Sequence, residues 1–335
     1  MSAAPTPSKP ILVSMGDACG IGPEIIASLW CRETPRDVVV VGSAEVLRRA
    51  MRTVGGAAEI APFDAPDDLR HLASHQLPVW QPEGIPPELA DLPLGHIDAR
   101  AGAAAARCVE AAVEQIQAGR ARALVTAPIH KEALHAAGSP YPGHTEMLQA
   151  LAGGVPVRMM LANDELRTVL VTIHCSLREA IERVTREAVL DTVRITHTAL
   201  QRFGLAAPRI AVAGLNPHAG EGGLFGREEI EHIAPAIAEA RALGLDVKGP
   251  FAPDTVFMRA RRGEFDVVVA MTHDHGLIPV KYLGVEQGVN VTLGLPFVRT
   301  SPDHGTAFDI AGTGSADPSS LSAALAMARR LSGPS

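Results

Sequence analysis

The sequence predicts an α/β protein of two α/β/α lobes around largely parallel sheet, and three observations carry that expectation. Short β-branched runs alternate with helical patterns from one end of the chain to the other. The 335 residues amount to about two domains at roughly 150 residues each. Hydrophobic residues make up 47% and charged residues 20%, enough to bury a core without disulfides and too apolar for a disordered chain.

The elements follow in order. Ile11–Met15 reads as a strand, a Gly-rich turn follows, and a helix runs from about Pro23 to Trp30. Val38–Val41 is a second strand and Ala44 to about Val54 a second helix. Pro62 to Gly95 is Pro-rich and irregular, a loop excursion carrying short strands. From Asp98 to Gly119 the pattern is helical, with Ala105, Val109, Ala112, Val113 and Ile116 on one buried stripe. Further strands are expected at Ala123–Thr126, Val157–Leu161, Arg167–Thr172, Arg209–Ala213 and Phe265–Met271. Helices at about Arg186–Phe203 and Arg227–Leu243 lie among them. The last helix is expected to have Asp317 as N-cap, Pro318 at its first position and Gly333-Pro334 as its stop. With aromatics at only 4%, the core is built mainly from Ala, Val, Leu and Ile.

A net charge of −7 argues against a nucleic-acid or anionic-membrane surface as the main partner. No apolar run approaches the roughly 20 residues that span a bilayer. Met1 to Lys9 is polar and Pro-rich, without the apolar core of a signal peptide. Cys19, Cys31, Cys108 and Cys175 are scattered and form no C-x-x-C pair, which suits a reducing cytoplasm.

Three histidines sit just past the C-terminal ends of expected strands. His174 follows Thr168–Thr172, His218 follows Ile210–Ala213 through a Gly214-Leu215-Asn216-Pro217 turn, and His273 follows Val267–Thr272. In open α/β sheets ligands bind outside the carboxyl ends of strands. Three imidazoles brought to that edge suit a divalent metal, with positions left open for substrate oxygens. The plain alternative for each is a polar residue at a strand-to-loop junction, hydrogen-bonded locally.

A second group suits an anion. Pro142-Gly143-His144-Thr145-Glu146 opens a helix, offering backbone N–H groups and a positive dipole end. Downstream, Lys281, Asn290 and Arg299 stand in an apolar, Gly-rich stretch with little other charge, where a phosphate would find a point charge, a fork and neutral donors. The Gly16–Glu24 turn follows the first strand but has Ile25 where a dinucleotide fingerprint needs its third Gly, so a tight strand-to-helix turn is preferred there. His304–Gly314 combines small residues with Asp309, which is suited to ribose hydroxyls.

Together these segments resemble the 4-hydroxythreonine-4-phosphate dehydrogenase family of vitamin B6 biosynthesis. The matching motifs are Gly16–Glu24, Thr126-Ala127-Pro128-Ile129-His130-Lys131, Gly143–Glu146, Asn216-Pro217-His218-Ala219-Gly220-Glu221, Thr272-His273-Asp274 and Gly288–Gly314, spread over nearly the whole chain. The resemblance implies a cytoplasmic homodimer with shared active sites and an isocitrate/isopropylmalate dehydrogenase-like fold. Residues 1–127 with 300–335 would form one lobe, carrying part of the cofactor site. Residues 128–299 would form the other, carrying the metal and substrate residues and the dimer interface. It implies NAD- or NADP-linked oxidation of 4-phosphooxy-L-threonine, then decarboxylation to 3-amino-2-oxopropyl phosphate, assisted by one divalent metal (Zn, Mg or Co).

By the same resemblance His174, His218 and His273 match metal ligands, and His144, Thr145, Lys281, Asn290 and Arg299 match substrate contacts. His304, Gly305, Asp309 and Gly312 match the adenine-binding loop of the structural cousins. Asp254 or Asp274 is the candidate base, with Lys281 the alternative. The chain departs from the family in two places: Ala18-Cys19 where Pro-Ala is usual, and His275 where Gln is usual, which sets a second imidazole beside His273. The rivals are a paralogous dehydrogenase for a phosphorylated four-carbon aldonate or an aromatic cis-dihydrodiol, a phosphate acyltransferase, and a non-catalytic metal-binding protein.

Overall fold

The computed structural model describes residues 9–63 and 75–333. It divides into two compact units, Met1–Val155 with Leu295–Ser335, and Pro156–Gly294.

In the first unit the chain runs β1 (Ile11–Ser14), α1 (Gly22–Glu33), β2 (Val38–Val41), α2 (Ala44–Thr53), β3 (Glu59–Phe63), β4 (Gln76–Trp80), α3 (Ala99–Gln117), β5 (Ala123–Thr126), α4 (Lys131–Ala136) and α5 (His144–Leu151). It ends with β12 (Val298–Pro302) and α11 (Ser319–Ser332). The strands lie in the order β3-β4-β2-β1-β5-β12, every pairing parallel. β1, β2 and β5 are buried along their whole length, the apolar runs expected of parallel strands covered on both faces. Local signals start the helices: Ser43 accepts from the Val46 N–H before α2, and Asp98 from the Arg100 N–H before α3.

The Pro-rich stretch, expected as a loop excursion carrying short strands, holds β4, and β3 ends within it at Phe63; its residues 64–74 lie outside the described residues. Two expectations shift. The N-cap of α11 is Pro318, one residue later than expected, with φ −79° and ψ 0° already helical, while Asp317 Oδ1 still accepts from the Ser319 N–H and hydroxyl at 3.3 and 2.9 Å. The stop at Gly333 stands, while Pro334 lies outside the described residues. Residues 128–155 and 295–299, expected in the second lobe, group with the first unit, and Arg299 goes with them. Here α4 packs on α3 so closely that a Cβ on Gly102 would lie 2.1 Å from the Ala133 carbonyl oxygen.

In the second unit the elements are β6 (Arg158–Ala162), β7 (Arg167–Leu170), α6 (Leu177–Arg183), α7 (Arg186–Arg202), β8 (Ile210–Ala213), α8 (Ala234–Ala242), β9 (Val247–Phe251), α9 (Val256–Arg261), β10 (Val267–Ala270), α10 (His273–Tyr282) and β11 (Val289–Leu293). Their strand order is β11-β6-β7-β10-β8-β9. β6 is antiparallel to both neighbours, and β7, β10, β8 and β9 run parallel. The core on this sheet gathers Leu161, Leu170, Ala211, Val268, Leu277 and Val280. No helix among the described residues is long and apolar enough to cross a membrane.

Leu170 is 1% exposed at the end of β7, and α10 rests directly on it: a Cβ on Gly276 would lie 2.3 Å from Leu170 Cδ2. Leu170→Ala is expected to cost about 2–5 kcal/mol of stability, read as a lower urea midpoint. An unchanged midpoint would mean that this contact does not hold the helix.

Candidate active site

β7, β10 and β8 are adjacent and parallel, so their carboxyl ends share one edge. His174 comes four residues after the end of β7, His273 three after β10 and His218 five after β8. The first two loops are tied together. Val171 and Thr172 donate their N–H groups to the carbonyls of Ala270 and Met271 at 2.9 and 3.2 Å, and the Thr172 hydroxyl donates to the Met271 carbonyl at 2.8 Å. That brings the rings of His174 and His273 to 5.8 Å between centroids. Both line a cavity of about 540 Å³ with Cys175, Thr272 and Asp274.

His273 shares its Nδ1 with Asp274 Oδ1 at 2.8 Å, which leaves Nε2 as the nitrogen available to a ligand. His218 lines a second cavity of about 520 Å³, beside Asp254, Asp274, His275 and Ile278. Asp274 therefore borders both cavities and Asp254 one. Burial holds the His275 imidazole below its ordinary pKa, partly offset by the Asp274 carboxylate. Among the described residues no three His, Cys, Asp or Glu side chains of one chain stand close enough to hold a metal ion. His174 and His218 have φ of 31° and 53°, left-handed backbone that non-glycine residues rarely adopt. Lys281 lies near the end of α10 and Asn290 on β11 opposite Leu161; neither lines these two cavities.

The first unit holds the anion-suited group. Arg299 on β12 is 3% exposed, and its Nη2 donates to the hydroxyl of Thr126, the last residue of β5, at 2.6 Å. Burial lowers the guanidinium to about 10, which leaves it cationic at neutral pH. His144, the first residue of α5, has its Nε2 sealed from solvent with no hydrogen-bond partner. Burial, and then the Arg299 charge, push that imidazole well below its ordinary pKa. The result is a buried cation beside a neutral ring and the N-terminus that includes Thr145, a setting in which an anion is the natural complement.

The Gly16–Glu24 turn meets the His304–Gly314 block. Ile21 donates its N–H to the Thr306 carbonyl at 3.0 Å. Glu24, buried in the first turn of α1, accepts the N–H groups of Gly312 and Gly314, the second at 3.0 Å. A Cβ on Gly20 would lie 2.9 Å from the Thr306 carbonyl oxygen, so only glycine admits this approach. Phe308 stacks on His130 with ring centroids 4.5 Å apart. The turn that fails as a dinucleotide fingerprint is thus the support of the block read as the cofactor site. His304, Gly305, Asp309 and Gly312 all lie exposed on that block.

Sequence reasoning assigned no role to Thr126, Asp17 or Glu24. Asp17 is buried at the end of the first strand's turn, accepts from the Cys19 N–H at 2.8 Å, and has its pKa raised by burial. All three fall inside segments already singled out as motifs, and that position was the available signal.

A family model described as "Pyridoxal phosphate biosynthetic protein PdxA" matches residues 34–328. A 4-hydroxythreonine-4-phosphate dehydrogenase of Beijerinckia indica is 53% identical over 334 residues, covering 97% of this chain and 96% of the relative. A D-threonate 4-phosphate dehydrogenase of Cupriavidus necator is 49% identical, covering 93% of this chain and 94% of the relative. The crystal structure of a 4-hydroxythreonine-4-phosphate dehydrogenase from Klebsiella pneumoniae matches with a TM-score of 0.91 at 43% identity, covering 97% of this chain and 100% of that one.

Because the neutral His144 ring takes up its proton only on unfolding, stability is complete above the ordinary imidazole value of 6.5 and falls as the pH drops below it. His144→Gln removes this dependence. The loss of melting temperature between about pH 7.5 and about pH 5.5 is expected to be smaller in the variant than in the unaltered protein. Equal losses would mean that His144 is not buried neutral.

Proposed function

Because the chain belongs to the pyridoxal phosphate biosynthetic protein PdxA family, we propose that it is a cytoplasmic, nicotinamide-linked dehydrogenase that oxidises 4-phosphooxy-L-threonine in vitamin B6 biosynthesis. The single observation that carries the phosphorylated substrate is the buried cluster of Arg299, Thr126 and His144, in which the His144 Nε2 has no hydrogen-bond partner. There the phosphate takes the guanidinium fork, the His144 Nε2 and the N–H groups that open α5. Lys281 and Asn290 are further substrate contacts. Anchoring the remote phosphate orients the alcohol, so binding energy far from the reacting carbon lowers the barrier at it.

A divalent cation (Zn, Mg or Co) fits His174, His218 and His273, since two of the rings stand 5.8 Å apart and one is oriented by a carboxylate; when bound, it would supply Lewis-acid polarisation of the substrate hydroxyl. NAD or NADP supplies the hydride acceptor, held at its adenosine end by His304, Gly305, Asp309 and Gly312. The hydroxyl proton goes to a carboxylate oxygen. Asp274 is the better placed of the two candidates, since it borders both histidine cavities. The β-keto acid formed loses CO₂ readily because its carbonyl accepts the electrons, and 3-amino-2-oxopropyl phosphate results.

A homodimer with shared active sites is part of this reading, supported by what the described part of one chain leaves incomplete. Among the described residues no trio of ligands closes, and each histidine loop is followed by exposed apolar side chains. Leu177 is 67% exposed after His174, Leu224 74% after His218, and Ile278 62% after His273. A second copy would cover them and bring its own imidazoles to the edge.

The similarity to a D-threonate 4-phosphate dehydrogenase favours one second reading, in which the substrate is that phosphorylated aldonate. The phosphate pocket serves either substrate, and the groups on C2 differ.

The test is a substrate panel followed at the reduced-nicotinamide absorbance: phosphorylated and unphosphorylated 4-hydroxythreonine, D-threonate 4-phosphate and an aromatic cis-dihydrodiol. Turnover is expected with the phosphorylated amino acid; turnover of the aldonate phosphate alone would move the assignment to the second reading. Arg299→Ala is expected to raise KM for the phosphorylated substrate about 10- to 100-fold, the worth of a charged hydrogen bond. An unchanged KM would put the phosphate elsewhere. Ile278→Glu is expected to yield monomers with little bound metal, measured by light scattering and metal analysis; metal-replete monomers would refute the shared site.

A further inference from the structure

The loop that carries His218 has an unusual backbone. His218, Ala219, Gly220, Glu221 and Gly222 have φ of 53°, 51°, 79°, 44° and 65°, a left-handed turn in which three of the five positions bear side chains. In that region Cβ crowds the following carbonyl oxygen, so such a run persists only where its surroundings impose it.

One side chain meets the turn from both ends. Glu229, 3% exposed, begins a wide π-helical turn (Glu229–Ile233) that leads into α8. Its Oε1 accepts the backbone N–H groups of Leu215 and Asn216 at 2.7 and 2.8 Å, and its Oε2 accepts from Asn216 Nδ2 at 2.9 Å. Asn216 Nδ2 also donates to Glu228 Oε2 at 2.7 Å. The same carboxylate closes the far side, where a Cβ on Gly220 would stand 2.7 Å from Glu229 Oε2. The two residues before Pro217-His218 and the residue two beyond the histidine are thus held against one buried carboxylate. Wide helical turns of this kind frequently accompany functional sites.

We propose that Glu229 is the positioning residue for His218: it forces the left-handed turn that sets the imidazole at the sheet edge, and touches no substrate or metal itself. The inference rests on the reading of His218 as a metal ligand. A carboxylate is needed because its four lone-pair sites accept from three donors at once. A glutamine of the same size has one oxygen and an NH₂ that would face a donor.

The experiment uses full-length, metal-free protein with Co²⁺ as the probe, comparing Glu229→Gln, Asn216→Ala and His218→Ala by titration calorimetry and amide hydrogen exchange. Asn216→Ala keeps the carboxylate and both backbone bonds to it, removing the side-chain bonds to Glu229 and Glu228, so the test stands if Glu229→Gln fails to fold. Glu229→Gln is expected to weaken Co²⁺ binding about 10- to 100-fold, as loss of a partner that orients a ligand does. It is also expected to speed exchange across residues 215–223 while β10 stays protected, with Asn216→Ala showing a smaller change of the same kind. Wild-type affinity and exchange in both, beside a weakened His218→Ala, would overturn the role of Glu229. Wild-type Co²⁺ affinity in His218→Ala would overturn the ligand reading instead, and exchange across residues 215–223 would still decide whether Glu229 holds the turn.

Discussion

The direction of the strands is the constraint on which everything else depends. Parallel strands need crossover connections, so each leaves the sheet at the same edge and its next loop begins there. In the second unit that rule sends three loops, after β7, β10 and β8, to one side, each bearing a histidine within five residues. In the first unit the parallel neighbours β1, β5 and β12 likewise place the Gly16–Glu24 turn, Thr126 and Arg299 at strand ends or along them. Arg299 and Thr126, 173 residues apart in sequence, meet because β12 and β5 lie side by side.

Each unit stiffens its loops in the same way. Glu24 and Glu229 are carboxylates at the start of a helical segment, both 3% exposed, and both accept backbone N–H groups from a Gly-rich segment. A buried carboxylate is costly unless its lone pairs are filled, and N–H groups of an irregular loop are costly unless they find acceptors. Each satisfies the other. Small residues then let the loop come close enough for the bonds to form, so glycine and glutamate act as one unit in these positions.

Charge works differently around Arg299. Arg299 is buried with a threonine hydroxyl and a neutral imidazole close by, an arrangement that favours a bound anion over a further cation. His144 belongs to this balance because the same burial and the same guanidinium keep it unprotonated. A neutral ring can present a donor or an acceptor at Nε2, according to tautomer, where an imidazolium could only repel the neighbouring charge.

Much was legible from local patterns. β2 and β5 begin and end where Val38–Val41 and Ala123–Thr126 predict, because a short apolar run bounded by turn residues has one economical arrangement between two layers of helix. The histidines were legible as strand-end residues, since period and turn chemistry are local properties. Other features depended on partners remote in sequence. The Gly16–Glu24 turn reads as a lone tight turn until the His304–Gly314 block is laid against it. Residues 128–155 fall in the first unit, where α4 packs closely against Gly102 on α3. Glu229 looks like any surface glutamate in a charged stretch. Its burial, and the left-handed turn it grips, arise from the fold of the loop before it. Sequence alone determined which segments form strands and helices and which side chains follow the strand ends, because periodicity and capping act over a few residues. Tertiary structure decided which of those groups are sealed from water and which donors meet which acceptors, because desolvation depends on everything packed around an atom.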